Sequence, residues 1–123
     1  MWRIGLIVFL FVHAAIHVAI WASPAAKAPD APFDSSESWL LGSQRSISMA
    51  VALVTAVLLA AAAVGLSVHA DWWRSVAIVG LASSFGLMIV WFNPWFTFIE
   101  AVNAALFVGL AFLSWPSSDL VGA

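Results

Sequence analysis

Four long apolar stretches divide the chain, and each is long enough to cross a membrane. They cover residues 4–22, 47–68, 75–92 and 98–115. A helix rises 1.5 Å per residue, so about 20 residues cross the roughly 30 Å hydrocarbon core. The runs are continuous rather than alternating, which excludes a transmembrane β-barrel. The pattern predicts an all-α integral membrane protein, in which residues 1–123 form one up-down four-helix bundle with an outer loop at 23–46.

Tryptophans and a turn signal support these boundaries. Indole rings prefer the headgroup layer of a membrane, and every tryptophan lies at or just outside the end of a predicted span. Asn93-Pro94 is a turn signal between the third and fourth spans, and we expect a turn there rather than one kinked helix. The eight tryptophans are Trp2, Trp21, Trp39, Trp72, Trp73, Trp91, Trp95 and Trp115.

Composition excludes several classes of protein. Hydrophobic residues make up 64% of the chain and charged residues 8%, against about 25% charged in an average soluble domain. Four basic and six acidic residues give a net charge of -2, and so few basic side chains argue against a nucleic-acid surface. The absence of cysteine excludes disulfides, thiolate metal sites and Fe–S clusters. Four spans in 123 residues leave no room for a separate catalytic domain.

The outer loop has two parts of different composition. Residues 24–32 are rich in alanine and proline, and we expect an extended segment. In residues 33–42, Asp34 can cap a helix, Glu37 follows three residues later and Gly42 can end it. These signals favour a short interfacial helix anchored by Trp39 and its neighbours. A polar linker is the alternative.

The charges that flank the spans give a nearly balanced orientation signal. Arg3 and Arg74 lie on one side of the membrane, Lys27 and Arg45 on the other. The short connection ending at Arg74, set against an outer loop that also carries three carboxylates, favours a bacterial inner-membrane protein with both termini in the cytoplasm. Residues 1–3 and the apolar run after them also resemble a signal peptide, but this run is longer than a typical signal core. We therefore expect a retained first span.

Polar residues inside the spans occur at matching depths. His13 and His17 share one face of the first helix, as Glu100 and Asn103 share one face of the fourth. Antiparallel first and fourth helices bring Glu100 to the depth of His17, so we predict that these two side chains meet, with His13 and Asn103 one turn deeper. Exposure of such groups to lipid is costly. The predicted buried cluster contains His13, His17, Thr55, Ser84 with Ser83 beside it, Glu100 and Asn103.

Several chemistries remain open for this cluster. Its members could simply hydrogen-bond one another and hold the bundle together, or they could bind a ligand or relay protons. A transition-metal site of His13, His17 and Glu100 is feasible, because two imidazoles and a carboxylate form a facial triad. A bis-histidine haem is not expected, because His69 lies about 15 Å from His13 in depth. No nucleophile–base arrangement is present, so we expect no catalysis, no resident metal and no cofactor.

Small residues also recur at four-residue spacing in the last three spans. Such pairs let helix backbones approach closely, so we expect a role in packing rather than in function. The pairs are Ala61 with Gly65, Ala82 with Gly86, and Ala105 with Gly109.

Three local patterns suggest a resemblance. They are His13-Ala-Ala-Ile-His17 in the first span, Trp91-Phe-Asn-Pro-Trp95 before the last span, and Trp115-Pro116 after it. In size and layout the chain resembles small four-span bacterial membrane proteins, a heterogeneous group that includes DoxX-like proteins. The resemblance implies a four-helix membrane fold and no activity.

The leading functional hypothesis is a non-enzymatic membrane protein. It would serve as an accessory or interaction subunit, or hold a lipid or another apolar ligand between its helices. Its expected partners are membrane lipids and possible membrane subunits or further copies of itself, without nucleic acid. The alternative is a small redox or transport component that uses the histidine and glutamate layer.

Overall fold

Four long helices follow one another along the chain, joined by a small hairpin and two tight connections. The computed structural model describes residues 1–22 and 36–122. The helices are α1 (Trp2–His17, continued by a π-helical turn, Val18–Ala22), α2 (Arg45–Ser67), α3 (Trp73–Val90), α4 (Thr97–Phe112) and α5 (Ser118–Val121), with strands β1 (Glu37–Ser38) and β2 (Gly42–Ser43) and a 3-10 turn, Pro94–Phe96. The predicted all-α four-helix bundle is confirmed, and the apolar helices end within four residues of the predicted bounds.

The outward faces of the long helices are apolar. All four helices are long and apolar enough to cross a membrane. Their outer side chains include Val57 at 68% and Phe98 at 76% exposure. In water this surface would form one continuous hydrocarbon patch, far larger than a soluble monomer exposes. The chain is therefore a multi-pass integral membrane protein.

The helices form a ring that is closed on three sides. α2 packs along both α1 and α3, and α4 packs along α3. Contact between α1 and α4 is slight in the described residues. Because α1 and α4 do not pack closely against each other, a gap remains between the first and last spans.

The two ends of the bundle are held by different contacts. At one end, which we call the terminal end, Arg3 donates to His69 Nε2 and His69 Nδ1 donates to the carbonyl of Gly122. Arg74 at the same end donates to the carbonyls of Leu110, at 3.3 Å, and Pro116. The bond to Leu110 satisfies a backbone oxygen that the end of α4 cannot pair within its own helix.

The opposite end, the hairpin end, corrects one prediction. Residues 36–44 do not form a short helix, because β1 and β2 pair as a tiny antiparallel hairpin with Gly42 at φ +70°. Ser38 Oγ donates to the carbonyl of Val90 at 2.7 Å, and Trp39 Nε1 donates to that of Ile89 at 2.6 Å. The hairpin thus supplies hydrogen-bond donors for the last carbonyls of α3. These hydrogen bonds outweigh the cap and end signals that favour a helix. Residues 24–32 and Asp34 lie outside the described residues.

The predicted turn between the third and fourth spans is present. α3 ends at Val90, and Asn93 Oδ1 accepts a hydrogen bond from the Trp95 amide at 3.0 Å. Asn93 therefore caps the 3-10 turn Pro94–Phe96 that leads into α4. Pro94 at the first position of that turn needs no amide donor there.

Two of the glycines in the predicted small-residue pairs lie against tryptophan rings, and the third faces open space. A Cβ added at Gly65 would lie 2.7 Å from Trp72 Cζ3, and one added at Gly109 would lie 3.2 Å from Trp115 Cε3. Nothing lies within 4 Å of a Cβ added at Gly86. A Cβ added at Gly65 would also lie 3.0 Å from Trp73 Cβ at the start of α3, so this pair marks a close approach of two helices.

Another close contact between α2 and α3 lies at Gly80, outside the predicted pairs. A Cβ added at Gly80 would lie 3.0 Å from Leu59 Cδ2 and 3.2 Å from Leu58 Cβ, both on α2. The missing side chain lets α2 and α3 approach each other closely. This approach positions the next turn of α3, which carries the functional candidates.

Candidate functional site

Two histidines of α1 share one serine of α3 in the middle of the bundle. His13 Nε2 lies 3.1 Å and His17 Nε2 lies 2.8 Å from Ser84 Oγ. All three side chains are buried. A hydroxyl has one hydrogen and two lone pairs, so Ser84 can donate to one imidazole and accept from the other. We call these three residues the His–Ser centre.

Met88 completes the surroundings of the shared hydroxyl. Its Sδ lies 3.7 Å from Ser84 Oγ, and its side chain is buried one turn beyond Ser84 on α3. Residues four apart on a helix share a face, so Met88 follows Ser84 toward the centre. Sequence reasoning missed Met88, although this spacing was the available signal.

Aromatic rings continue the line of the two histidines along α1. The centroid distances are 5.4 Å from Phe9 to His13, 5.1 Å from His13 to His17 and 5.3 Å from His17 to Trp21. Trp21 in turn lies 6.1 Å from Phe96 at the hairpin end. We call Phe9, His13, His17 and Trp21 the ring row. It fixes the imidazoles by packing on both sides.

Two more predicted residues lie in the bundle with other partners. Thr55 Oγ1 on α2 pairs with Ser83 Oγ at 2.6 Å, and Asn103 Nδ2 on α4 donates to the Leu81 carbonyl at 3.4 Å. Both Thr55 and Asn103 are fully buried. They tie α2 and α4 to α3, so each helix contributes a polar group to the bundle interior.

Glu100 does not join the histidines. His17 Nδ1 and Glu100 Oε1 are both buried without a hydrogen-bond partner, so the predicted His17–Glu100 pair is not formed. The reason is the rotation of α4. Val102 lines the groove between α1 and α4, and at 100° per residue Glu100 lies about 160° around the helix from it. Glu100 therefore points away from α1 despite its matching depth.

The rotation of α4 also separates the three side chains that could have formed a metal site. Among residues 1–22 and 36–122, no group of three or more His, Cys, Asp or Glu side chains is placed to hold a metal ion. The facial triad of His13, His17 and Glu100, which the sequence left feasible, is therefore not assembled in this part of the chain. The redox or transport alternative loses the histidine–glutamate layer on which it depended.

A groove opens where α1 and α4 fail to close the ring. Its volume is about 420 Å³ and its lining is almost entirely apolar. The edge-on rings of Trp2 and Trp115, 5.8 Å apart, close it at the terminal end. Phe9, which contacts His13, lines its other end. The lining residues are Trp2, Gly5, Leu6, Phe9, Val102, Ala105, Leu106, Trp115 and Pro116.

Gly5 gives the groove part of its width. Nothing lies within 4 Å of a Cβ added there. A larger side chain at this position would therefore extend into open space between α1 and α4 rather than into the core. Sequence reasoning did not identify the groove, because the order of spans does not show which pair of helices stays apart.

Comparison with known proteins adds no assignment to this geometry. No protein-family model, curated protein or solved structure matches the chain.

Proposed function

We propose that this protein binds the acyl chain of a membrane lipid in the groove between α1 and α4, as a non-enzymatic accessory protein of the membrane. The open side of the helix ring carries this proposal. The groove opens sideways between two apolar helices, so a lipid chain reaches it without crossing water.

The dimensions of the groove suit part of one acyl chain. Its volume of about 420 Å³ falls within the range of about 300–1,000 Å³ typical of ligand pockets. From Trp2 to Phe9 it extends about 10 Å along α1, a third of the hydrocarbon thickness. The occupant therefore comes from one leaflet, the one at the terminal end.

A lipid chain is favoured over a partner helix by the shape of the opening. The Trp2–Trp115 contact closes the groove at the terminal end. A transmembrane helix, about 10 Å across with its side chains, would need a groove that continues along the whole bundle. A flexible acyl chain can instead fill a short groove that is open at the side and closed at one end. A second copy of the protein remains a measurable alternative in the test below.

The location of the protein follows from the same proposal. We propose residence in the bacterial inner membrane with both termini in the cytoplasm. Arg3 and Arg74 lie at the terminal end, and positive charge favours the cytoplasmic side. Labelling of single cysteines introduced at Ser117 and at Leu40 tests this orientation. Only the Leu40 position should react with a membrane-impermeant reagent added from outside the inner membrane.

The lipid proposal is tested by filling the groove. Gly5→Leu places a side chain in the open space between α1 and α4, and Gly86→Leu is the matched control on the exposed side of α3. Native mass spectrometry of gently extracted protein should show one retained lipid in the wild type and in Gly86→Leu. Gly5→Leu should lose most of it.

Three results would contradict the proposal. The first is a wild-type protein that retains no lipid, and the second is equal retention in Gly5→Leu and Gly86→Leu. The third is a lipid-free dimer that Gly5→Leu converts to monomer, which would identify a second copy as the occupant of the groove.

A further inference from the structure

Three soft or borderline donor atoms surround one hydroxyl at the His–Ser centre. His17 Nε2, His13 Nε2 and Met88 Sδ lie 2.8, 3.1 and 3.7 Å from Ser84 Oγ. All three side chains are at most 5% exposed. The hydroxyl thus occupies a point on which two imidazoles and a thioether converge.

We propose that His13, His17 and Met88 bind one Cu(I) ion in the centre of the bundle. Thioether ligands select Cu(I) among the common metals, and imidazole also suits copper. The proposed donor set is uncharged and contains no carboxylate, because Glu100 points away from α1. Divalent Mg, Ca and Mn prefer oxygen ligands, which this set lacks.

The charge of the ion supports the same choice. The cost of placing an ion in a medium of low dielectric grows with the square of its charge. A divalent ion held by neutral donors in a membrane interior would therefore face four times the penalty of a monovalent one. Cu(I) combines the lower charge with the preference for sulfur.

Small movements suffice to form the site. Metal–nitrogen and metal–sulfur bonds measure about 2.0–2.3 Å, so each donor must move inward by roughly 1 Å from its present distance to Ser84 Oγ. The Ser84 side chain must turn away from the ion. Met88 adapts readily, because its unbranched side chain has three rotatable bonds.

Phe9 lines the groove and contacts His13, so a single ring separates the site from the opening between α1 and α4.

The test is a Cu(I) titration of the purified full chain without oxygen, in competition with a chromogenic Cu(I) chelator. The wild type should bind one ion, and X-ray absorption should report two nitrogen neighbours and one sulfur neighbour. Met88→Leu keeps the size of the side chain and should weaken binding about tenfold or more, as the loss of even an outer-shell partner does. His13→Ala and His17→Ala should abolish it.

Matched controls exist for both residue types. His69→Ala removes the histidine at the terminal end, and Met49→Leu removes a methionine of α2 outside the His–Ser centre. Both should bind Cu(I) as the wild type does. Unchanged binding in Met88→Leu, equal loss in the controls, no binding by the wild type, or tighter binding of Zn(II) than of Cu(I) would overturn the proposal.

Ser84→Ala separates a metal site from a purely structural hydrogen-bond centre. Removal of the Ser84 hydroxyl leaves both imidazoles without their hydrogen-bond partner, so the metal-free variant should melt at a lower temperature than the wild type. If the donors bind Cu(I), the variant should bind it at least as tightly, and the ion should raise its Tm more than that of the wild type. Loss of Cu(I) binding in Ser84→Ala, or no change in Tm on adding the ion, would refute the proposed arrangement.

Discussion

Gly80→Ala adds a single methyl group at a close contact between α2 and α3. The added Cβ would lie 3.0 Å from Leu59 Cδ2 and 3.2 Å from Leu58 Cβ. Ordinary van der Waals contact begins near 3.4 Å. Leu59 is fully buried, and the Cβ of Leu58 is held by the α2 backbone. The two helices must therefore separate by a few tenths of an ångström.

Two opposing terms set the expected change in the free energy of unfolding. Overpacking of a filled interior costs about 1–3 kcal/mol. Replacement of glycine by alanine in a helix offsets this by about 0.8–1.0 kcal/mol. Gly80→Ala should therefore lower the free energy of unfolding by up to about 2 kcal/mol. Because Ser84 lies one turn farther along the same face, the same separation should loosen its contacts with the histidines.

Gly86→Ala on the same helix isolates the packing term. Nothing lies within 4 Å of a Cβ at Gly86, so this variant carries only the helix-propensity gain. The difference between the two variants should be about 1–3 kcal/mol. Unfolding in mixed micelles with rising denaturing detergent, followed by circular dichroism, measures both. Equal stability of the two variants would show that α2 and α3 do not meet closely at Gly80.

Three further variants test contacts at the ends of the bundle. Arg74→Gln weakens the hydrogen bonds to the carbonyls of Leu110 and Pro116. It should lower the free energy of unfolding by about 1.5 kcal/mol, the low end for a bond to a charged donor. The detergent titration measures this change, and a stability equal to that of the wild type would contradict it. Trp39→Phe should remove the hydrogen bond to the Ile89 carbonyl at a cost of about 0.5–1.5 kcal/mol. Amide exchange in residues 36–44 should become faster, and unchanged exchange would show that this bond does not stabilise the hairpin. Asn93→Ala should cost about 0.5–2 kcal/mol through loss of the cap, measured by thermal melting; a Tm equal to that of the wild type would contradict it.

Depth along a span could be predicted from the sequence, but rotation about the helix axis could not. His13, His17 and Ser84 were expected in one layer, and the structure joins them through Ser84 Oγ. Glu100 was expected in that layer because its depth matched. Counting residues from a span end fixes depth to within a turn, whereas the face that a helix turns inward depends on packing against its neighbours.

Other features escaped prediction because apolar or local signals are ambiguous. Met88 looks like an ordinary core residue in the sequence, and only its place beside Ser84 distinguishes it. Cap and end signals in residues 33–42 favour a short helix, with a polar linker as the alternative, whereas residues 36–44 form a hairpin. Local signals do not include the α3 carbonyls that accept hydrogen bonds from Ser38 and Trp39. The four spans were predicted correctly, because length and continuous hydrophobicity alone determine them.

The ring row couples side chains that are distant along the membrane normal. Phe9 and Trp21 are separated by 12 residues, or about 18 Å of helix, yet each ring between them is in contact with the next. Because each ring packs against the next, a change of χ1 rotamer in one ring alters the packing surface of the ring beside it. Phe9 borders the groove and Trp21 packs near Phe96 at the hairpin end. The ring row thus connects the groove to the hairpin end through an unbroken series of ring contacts.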